Sequence, residues 1–164
     1  MPLKRAFLGL GSNLGDRQKN LELAMAALEA AGLRIIQRSP VYETEPQDFK
    51  DQPWFLNMAL EVETVCFPIQ LLTLLKRIER DMGRVRGREA VLKGPRTIDI
   101  DILLCGKTEL NTAQLTIPHP RMAERRFVLE PLLEIAPDAR HPVTGRRFSQ
   151  DLAQITGQRT KKLT

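Results

Sequence analysis

The order of apolar and polar residues along the chain alternates between two periods. Short apolar stretches are typical of β-strands, whereas apolar residues recurring every three or four positions predict the buried face of an α-helix. In the first predicted helix, Leu21, Ala24, Met25 and Leu28 follow the helical spacing, and Gly32 ends it. The pattern predicts strands at 5–10, 33–39 and 54–63 and helices at 17–31 and 68–82.

The clearest alternation lies in Ile98–Cys105, which predicts the next strand. Successive side chains of a strand point to opposite faces, so the isoleucines fall on one face and Asp99 and Asp101 on the other. The run ends in consecutive apolar residues, which is too apolar for the edge of a sheet. We therefore expect a strand that is buried on both faces.

Beyond this strand the pattern is less regular. It predicts an irregular stretch or short hairpin at 108–115, a rigid turn at 117–122, a helix at 124–133 broken near Pro131, and a last helix at 149–156. The order strand, helix, strand, strand, helix, strand is the ferredoxin-like β-α-β-β-α-β arrangement of the α+β class, an antiparallel sheet with helices packed on it and here with C-terminal additions. Without repeats or linkers, a single domain over residues 1–164 is expected.

Composition places the chain among globular proteins. It is 42% hydrophobic and 27% charged, and no apolar run is long enough to span a membrane. The N-terminus shows no apolar segment of signal-peptide length, which favours the cytoplasm. Cys66 and Cys105 are the only cysteines, and they lack metal-binding spacing, so two reduced thiols are favoured over a disulfide.

The formal net charge is +5, and the basic residues concentrate in 84–96, 121–126 and 159–162. A basic balance suits a nucleic acid, an acidic membrane surface or an anionic small substrate. We expect the last cluster to be a solvated terminus. The first two clusters bracket the strand that carries Asp99 and Asp101.

This strand is the main candidate for chemistry. Two carboxylates roughly 6–7 Å apart along one face can bind one hard cation or bridge two, and Mg²⁺ is usually held by one or two carboxylates plus substrate phosphates. Arginine side chains match phosphate oxygens in bidentate fashion, and cations lie just upstream, at Arg84, Arg86, Arg88, Lys93 and Arg96. Together they predict a polyphosphate site. The solvated acidic face of an edge strand is the alternative.

Two further features are less specific. The turn Gly9–Asp16 contains neither a Walker A loop nor a Gly-x-Gly-x-x-Gly fingerprint, so a simple strand-to-helix turn is the alternative to a nucleotide loop. Asn57 is the one polar residue inside an apolar stretch. It is either a hydrogen-bonded core amide or an amide that recognises the edge of a flat heterocycle.

In this order, the motifs closely resemble those of the 6-hydroxymethyl-7,8-dihydropterin pyrophosphokinase family of folate biosynthesis, over about residues 6–137. The Gly-Pro-Arg-x-Ile-Asp-x-Asp string is the most specific. The shared motifs are Leu10-Gly-Ser-Asn-Leu-Gly15, Tyr42-Glu-Thr-Glu-Pro46, Phe55-Leu-Asn57, Arg77-Ile-Glu79, Gly83-Arg-Val-Arg86, Gly94-Pro-Arg-Thr-Ile-Asp-Ile-Asp-Ile102, Ile117-Pro-His119 and Arg125-Arg-Phe127.

The resemblance implies transfer of the β,γ-diphosphate of ATP to the hydroxymethyl group of the reduced pterin, leaving AMP. It implies that Asp99 and Asp101 hold two Mg²⁺ ions and that Arg84 and Arg96 are the catalytic arginines. The implied pterin-binding residues are Gly11, Thr44, Phe55, Asn57 and Phe127. The implied ATP-binding residues are Glu79, Arg86, Ile102, Ile117, His119 and Arg125. ATP and the pterin would be the only partners of a monomer, without nucleic acid or membrane.

The chain departs from the family at two positions. Lys93 replaces an aromatic residue that commonly precedes Gly-Pro-Arg, and Lys76 replaces a glutamine that some members present to the nucleotide. Two other functions are considered. A nucleotidyltransferase also pairs a Gly-Ser turn with Asp-x-Asp, but there the turn comes shortly before the aspartates, whereas here Ser12 and Asp99 are far apart in the sequence. An RNA-binding ferredoxin-like module would need exposed strand aromatics, and only 5% of the residues are aromatic.

Overall fold

The computed structural model describes residues 2–83 and 96–163, so the predicted phosphate-binding residues Arg84 and Arg86, and also Lys93, lie outside the described residues. The strands are β1 (Lys4–Ser12), β2 (Arg34–Arg38), β3 (Tyr42–Thr44), β4 (Phe55–Thr64), β5 (Asp99–Cys105), β6 (Leu110–Asn111), β7 (Thr116–Ile117) and β8 (Thr160–Lys162). The helices are α1 (Arg17–Ala30), α2 (Pro68–Gly83), α3 (Arg126–Ile135) and α4 (Phe148–Gln154), with a short 3-10 turn at Met122–Glu124.

The main sheet is antiparallel, with the strand order β5-β1-β4-β3-β8. Strands β2 and β3 pair with the same edge of β4, β2 along Leu60–Glu63 and β3 along Phe55–Asn57. The strand after α1 is therefore split into two segments. With α1 and α2 connecting the strands, this confirms the predicted ferredoxin-like arrangement.

One face of the sheet packs against α1 and α2. Alternate residues of β1, such as Leu8 and Leu10, form a core with Leu21 of α1 and with Leu71 and Leu75 of α2, all essentially without solvent exposure. Each such side chain stabilises the fold by about 1.5–3 kcal/mol through burial. The isoleucines of the Asp-x-Asp strand join this core, as their alternation predicts.

The second face is only partly covered. Helix α3 packs on it around Ala59, and a second core forms there with Leu103, Leu129 and Phe148. Because Leu8 and Leu10 point to the first face, Gly9 and Gly11 lie on the second. Among residues 2–83 and 96–163, no helix packs over the end of the sheet that contains these glycines.

The position of β5 corrects one expectation. It is the end strand of the sheet, so the prediction that its apolar run excludes an edge was wrong, although both faces are buried. Two backbone groups on its outer edge form hydrogen bonds with other segments. The Leu103 carbonyl accepts the His119 N–H at 3.0 Å, and the Ile100 N–H donates to Glu79 at 2.7 Å. A register shift against β1 makes Leu103 an extra residue, so Leu103 and Leu104 both face the second core.

Two local predictions also differ from the structure. Helix α3 continues through Pro131, where we expected a break, because Leu129 and Leu132 anchor it in the second core. Tyr42–Thr44, which lies outside the predicted strands, forms β3. The side chains of Arg159, Lys161 and Lys162 are exposed, as expected for the last basic cluster, although residues 160–162 pair with β3 as β8. Both cysteines are free thiols, as predicted. Among the described residues, no helix is long and apolar enough to cross a membrane.

Candidate active site

A cavity of about 300 Å³ opens at the uncovered end of the second sheet face. Its floor is formed by β1, β4 and β5, and its walls by the 45–54 loop and the N-terminal end of α3. Most of the predicted site residues in the described part of the chain line it: Gly11, Thr44, Phe55, Asn57, Arg96, Asp99, Asp101, His119, Arg125 and Phe127. Residues from six separate segments of the chain are thus brought together.

The carboxylates of β5 form the acidic part of the cavity. Asp99 and Asp101 lie opposite Gly11 and Gly9 of β1, and the Arg96 guanidinium is 3.6 Å from an Asp99 carboxylate oxygen. Dense protein around Asp101 disfavours its charged form, and repulsion by Asp99 and Glu79 adds to this effect. The pKa of Asp101 is therefore raised to about 7.

Glu79 supports this strand from α2. Its Oε2 accepts the Ile100 N–H, and its Oε1 lies 3.4 Å from the ammonium of Lys76. Burial, together with the charge of Asp99, raises the pKa of Glu79. The carboxylate predicted to contact ATP is thus also a hydrogen-bond acceptor for the outer edge of β5, and it places Lys76 on the cavity wall.

The carboxylate oxygens of the cavity suit a hard divalent cation. Within residues 2–83 and 96–163, no group of three or more His, Cys, Asp and Glu side chains is arranged to hold a metal by itself. Asp99 and Asp101 nevertheless offer carboxylate oxygens on one face, and their mutual repulsion is relieved by a cation. Mg²⁺ is bound in this way when substrate phosphates and water complete its shell, so the residues fit a magnesium site that is completed by a phosphate ligand.

On the side of the cavity away from the carboxylates lies a slot that contains an amide held in place by a hydrogen bond. The Asn57 side-chain amide donates to the Thr44 hydroxyl at 2.6 Å, and both side chains are buried. A Cβ at Gly11 would lie 2.6 Å from Asn57 Oδ1, so glycine leaves the space that the amide occupies. The rings of Phe55 and Phe127 also line the cavity. Asn57 is thus a hydrogen-bonded amide that also lines the cavity. It is compatible with both roles considered from the sequence, a core amide and an amide that recognises a ligand.

The mouth of the cavity is basic. Burial and the nearby charge of Arg125 lower the pKa of His119 to about 4, so its imidazole is neutral at pH 7. Its Nδ1 accepts the Arg121 N–H at 3.2 Å, which leaves the proton on Nε2 and makes that atom a donor. The Arg125 guanidinium lies 5.4 Å from the ring centroid of Phe127. An anion entering the cavity therefore meets both cationic and neutral donors.

Asn13 does not itself line the cavity, but it connects segments that do, and no role was predicted for it from the sequence. Its amide donates to Gln52 Oε1 at 2.8 Å and to the Pro53 carbonyl at 3.0 Å, while its Oδ1 accepts the Arg96 N–H at 2.7 Å. One buried side chain thus joins the end of β1, the 45–54 loop and the residues that enter β5. These partners are 39 to 83 positions away in sequence, and no local pattern indicates them.

Asp48 was also missed. It lies on the 45–54 loop and pairs across the mouth with Arg121 at 3.5 Å and with Arg125 at 4.0 Å. In the sequence, Asp48 is one of several polar residues of a loop, and only the cations that follow Ile117 could have suggested a partner.

Two of the residues predicted to contact ATP have buried side chains. The side chains of Ile102 and Ile117 are buried in the first core, with exposures of 4% and 1%. Any contact that they make with a ligand therefore involves their backbone. By alternation from Ile100, the backbone N–H and C=O of Ile102 point to the outer edge of β5.

Sequence comparisons with known proteins agree with one another. Residues 7–137 match the model of the family described as 7,8-dihydro-6-hydroxymethylpterin-pyrophosphokinase. A Bacillus subtilis protein named 2-amino-4-hydroxy-6-hydroxymethyldihydropteridine pyrophosphokinase is 42% identical over 156 residues, covering 94% of this chain and 92% of that protein. The Schizosaccharomyces pombe folic acid synthesis protein fol1 is 43% identical over 94% of this chain, which spans only 21% of that protein's length.

The structural comparison concerns the fold alone. A crystal structure of the Plasmodium falciparum HPPK-DHPS protein superposes with a TM-score of 0.71 at 17% identity. The match covers 93% of this chain and 45% of that one.

Proposed function

Because this chain belongs to the 7,8-dihydro-6-hydroxymethylpterin-pyrophosphokinase family, we propose that it transfers the β,γ-diphosphate of ATP to the hydroxymethyl group of 6-hydroxymethyl-7,8-dihydropterin, releasing AMP. The observation that carries the proposal is the set of side chains that line one cavity. A carboxylate pair with adjacent cations lies there beside a slot that contains a fixed amide and two aromatic rings. The first part suits a polyphosphate and the second a flat heterocycle.

At the phosphate end, Asp99 and Asp101 would hold two Mg²⁺ ions, which would supply neutralisation of phosphate charge and a lowered pKa for the attacking hydroxyl. Arg96, already 3.6 Å from Asp99, stabilises the charge that develops on the transferred group. Arg125 and the Nε2–H of His119 bind nucleotide phosphates at the mouth of the cavity. We assign Arg84 to catalysis and Arg86 to ATP binding on the family motif alone.

At the pterin end, the Thr44 hydroxyl fixes the orientation of the Asn57 amide. That amide recognises the polar edge of the ring, while Phe55 and Phe127 contact its faces. Gly11 leaves room for the Asn57 oxygen. Positioning of this kind suits diphosphate transfer, in which orientation and charge neutralisation do most of the work.

A product assay with ATP, Mg²⁺ and 6-hydroxymethyl-7,8-dihydropterin tests the proposal by resolving AMP, ADP and pyrophosphate. We expect AMP to appear only when the pterin is present. Free pyrophosphate would indicate nucleotidyl transfer instead, and ADP a simple kinase. Asp101→Ala should abolish AMP release, whereas Asp138→Ala, whose carboxylate is 86% exposed, should not.

We further propose that residues 1–164 act as one pyrophosphokinase domain, as a monomer in the cytoplasm, where ATP and Mg²⁺ are abundant. Light scattering of the purified chain tests the oligomeric state. Cell fractionation tests the location.

A further inference from the structure

The C-terminal segment Gln158–Lys162 lies beside the cavity and connects its two walls. It lies outside residues 7–137, which match the family model, and nothing in its sequence indicates a contribution to the site. Its strand β8 pairs with β3, whose Thr44 orients the Asn57 amide. We name residues 158–162 the C-terminal clasp.

Arg159 contacts both ends of the 45–54 loop. At the first end, the Glu45 N–H donates to the Arg159 carbonyl at 3.0 Å, and the Arg159 N–H and Nε donate to the Glu45 carboxylate at 3.0 and 3.4 Å. At the other end, the guanidinium lies 5.1 Å from the ring centroid of Trp54. The loop between Glu45 and Trp54 includes Pro46, Gln47, Asp48 and Gln52, all of which line the cavity.

Its neighbours in the clasp hold the second wall. The Gln158 side chain accepts the Arg126 N–H at 2.9 Å and donates to the Glu124 carbonyl at 2.8 Å, at the start of α3. The Thr160 hydroxyl donates to Glu130 at 2.6 Å, one turn further along the same helix. Arg125 and Phe127 flank this attachment, so the clasp links the residues at the start of α3 to the 45–54 loop.

We propose that Arg159 is a positioning residue for the pterin half of the active site. By joining Glu45 to Trp54 it fixes the base of the 45–54 loop, and through that loop the shape of the slot around Asn57. The inference rests on the proposed pyrophosphokinase function. It assigns a role in substrate binding to a part of the chain outside the shared motifs.

The test compares Arg159→Met with the control Lys161→Met, which removes the same charge from an exposed position two residues further along the clasp. Since the Arg159 side chain is 74% exposed, its contacts are individually modest, and we expect the KM for the pterin to rise about fivefold. The KM for ATP should rise less, because the proposed ATP-binding residues lie on other segments and the loop reaches them through the Asp48–Arg125 ion pair. Arg159→Lys keeps the charge and should restore part of the loss.

A second readout needs no turnover. Lys50 is exposed within the loop and Lys107 outside it, so cleavage by a lysine-specific protease after each residue can be followed by mass spectrometry. Arg159→Met should accelerate cleavage after Lys50 relative to Lys107, and Lys161→Met should not.

Unchanged pterin KM or unchanged Lys50 cleavage in Arg159→Met would overturn the inference. So would an equal rise of both KM values, or the same effects in Lys161→Met. If the wild-type protein does not turn over the pterin, the proposed function fails, and the Lys50 cleavage still decides whether Arg159 holds the loop.

Discussion

Gly11 limits what the pterin slot can contain. A Cβ there would lie 2.6 Å from Asn57 Oδ1 and 3.6 Å from the Phe55 ring. The alanine variant can form only if the amide turns away from Thr44 or the strands separate. We expect Gly11→Ala to raise the KM for the pterin about tenfold, the equivalent of one neutral hydrogen bond. Steady-state kinetics at saturating ATP measures this change.

The matched control is Gly83→Ala at the end of α2, where an added Cβ meets no atom of the described residues within 4 Å. It should leave the KM for the pterin unchanged. A Gly11→Ala enzyme with the wild-type KM would show that Asn57 does not need its observed orientation.

Asp101 destabilises the protein when no metal is bound. Its folded-state pKa, about 7, lies above its ordinary value of 3.8, so between these values the folded chain holds a proton that the unfolded chain releases. Stability of the metal-free protein therefore falls as pH rises from about 4 to about 7. Asp101→Asn removes this penalty and should raise the free energy of unfolding at pH 8, by at most about 4 kcal/mol, while abolishing turnover.

Denaturant unfolding in the presence of EDTA, at pH 5 and at pH 8, measures the effect. The gain from Asp101→Asn should be larger at pH 8. Asp138→Asn provides the control, because its exposed carboxylate should show no pH-dependent gain. An equal gain at both pH values would mean that burial does not perturb Asp101.

Asn13 couples three elements that meet at the cavity: the end of β1, the 45–54 loop and the start of β5. Asn13→Ala removes the hydrogen bonds to the Arg96 N–H, to Gln52 and to the Pro53 carbonyl, which should cost about 1–3 kcal/mol of stability. Because Arg96 then loses its fixed position, kcat should fall about tenfold or more. Thermal unfolding and saturating kinetics measure the two effects separately.

Asn111→Ala, at an exposed position of β6, is the control and should change neither quantity. A stability loss in Asn13→Ala with the wild-type kcat would restrict Asn13 to a role in folding.

The elements differ in how far their sequences reveal them. The isoleucine and aspartate alternation of β5 is local, so its two faces could be predicted from residues 98–105 alone. Its position at the sheet edge could not, because the order of strands depends on distant partners such as His119 and Glu79. Strands β3 and β8 have three residues each, too few for a period to be visible, and they form through pairing with distant segments, β3 with β4 and β8, and β8 with β3.

The same contrast holds for the site. Asp99, Asp101 and Asn57 are unusual within their own segments, and a sequence shows them. Asn13 lies in a shared motif and Arg159 in the C-terminal segment, and only their partners in space show what each side chain does. The shared motifs correctly indicated the family but carried no information on the segment after residue 137.

Within the described residues, one face of the sheet is covered by α1 and α2, while the other is covered where α3 packs. In the proposed function, ligands bind on this second face, and any ligand that binds only the folded chain stabilises it. At a hundredfold excess over Kd the gain is about 2.7 kcal/mol. For a chain of 164 residues this corresponds to a rise of about 5–11 °C in the unfolding temperature.

Thermal shift with Mg²⁺, a non-hydrolysable ATP analogue and the pterin measures this rise. The rise should be smaller for Asp101→Ala, which lacks one of the two carboxylates proposed to hold Mg²⁺. No shift in the wild-type protein at saturating ligand would contradict binding at this face.

The open end of the second sheet face has a consequence for the living cell. A chain whose fold is completed by its substrates spends more time unfolded when they are scarce, and unfolded chains are the ones that quality-control proteases destroy. Starvation for the pterin precursor should therefore shorten the lifetime of the protein and lower its abundance without any change in gene expression. The cell would hold more of the catalyst when there is material for it to convert.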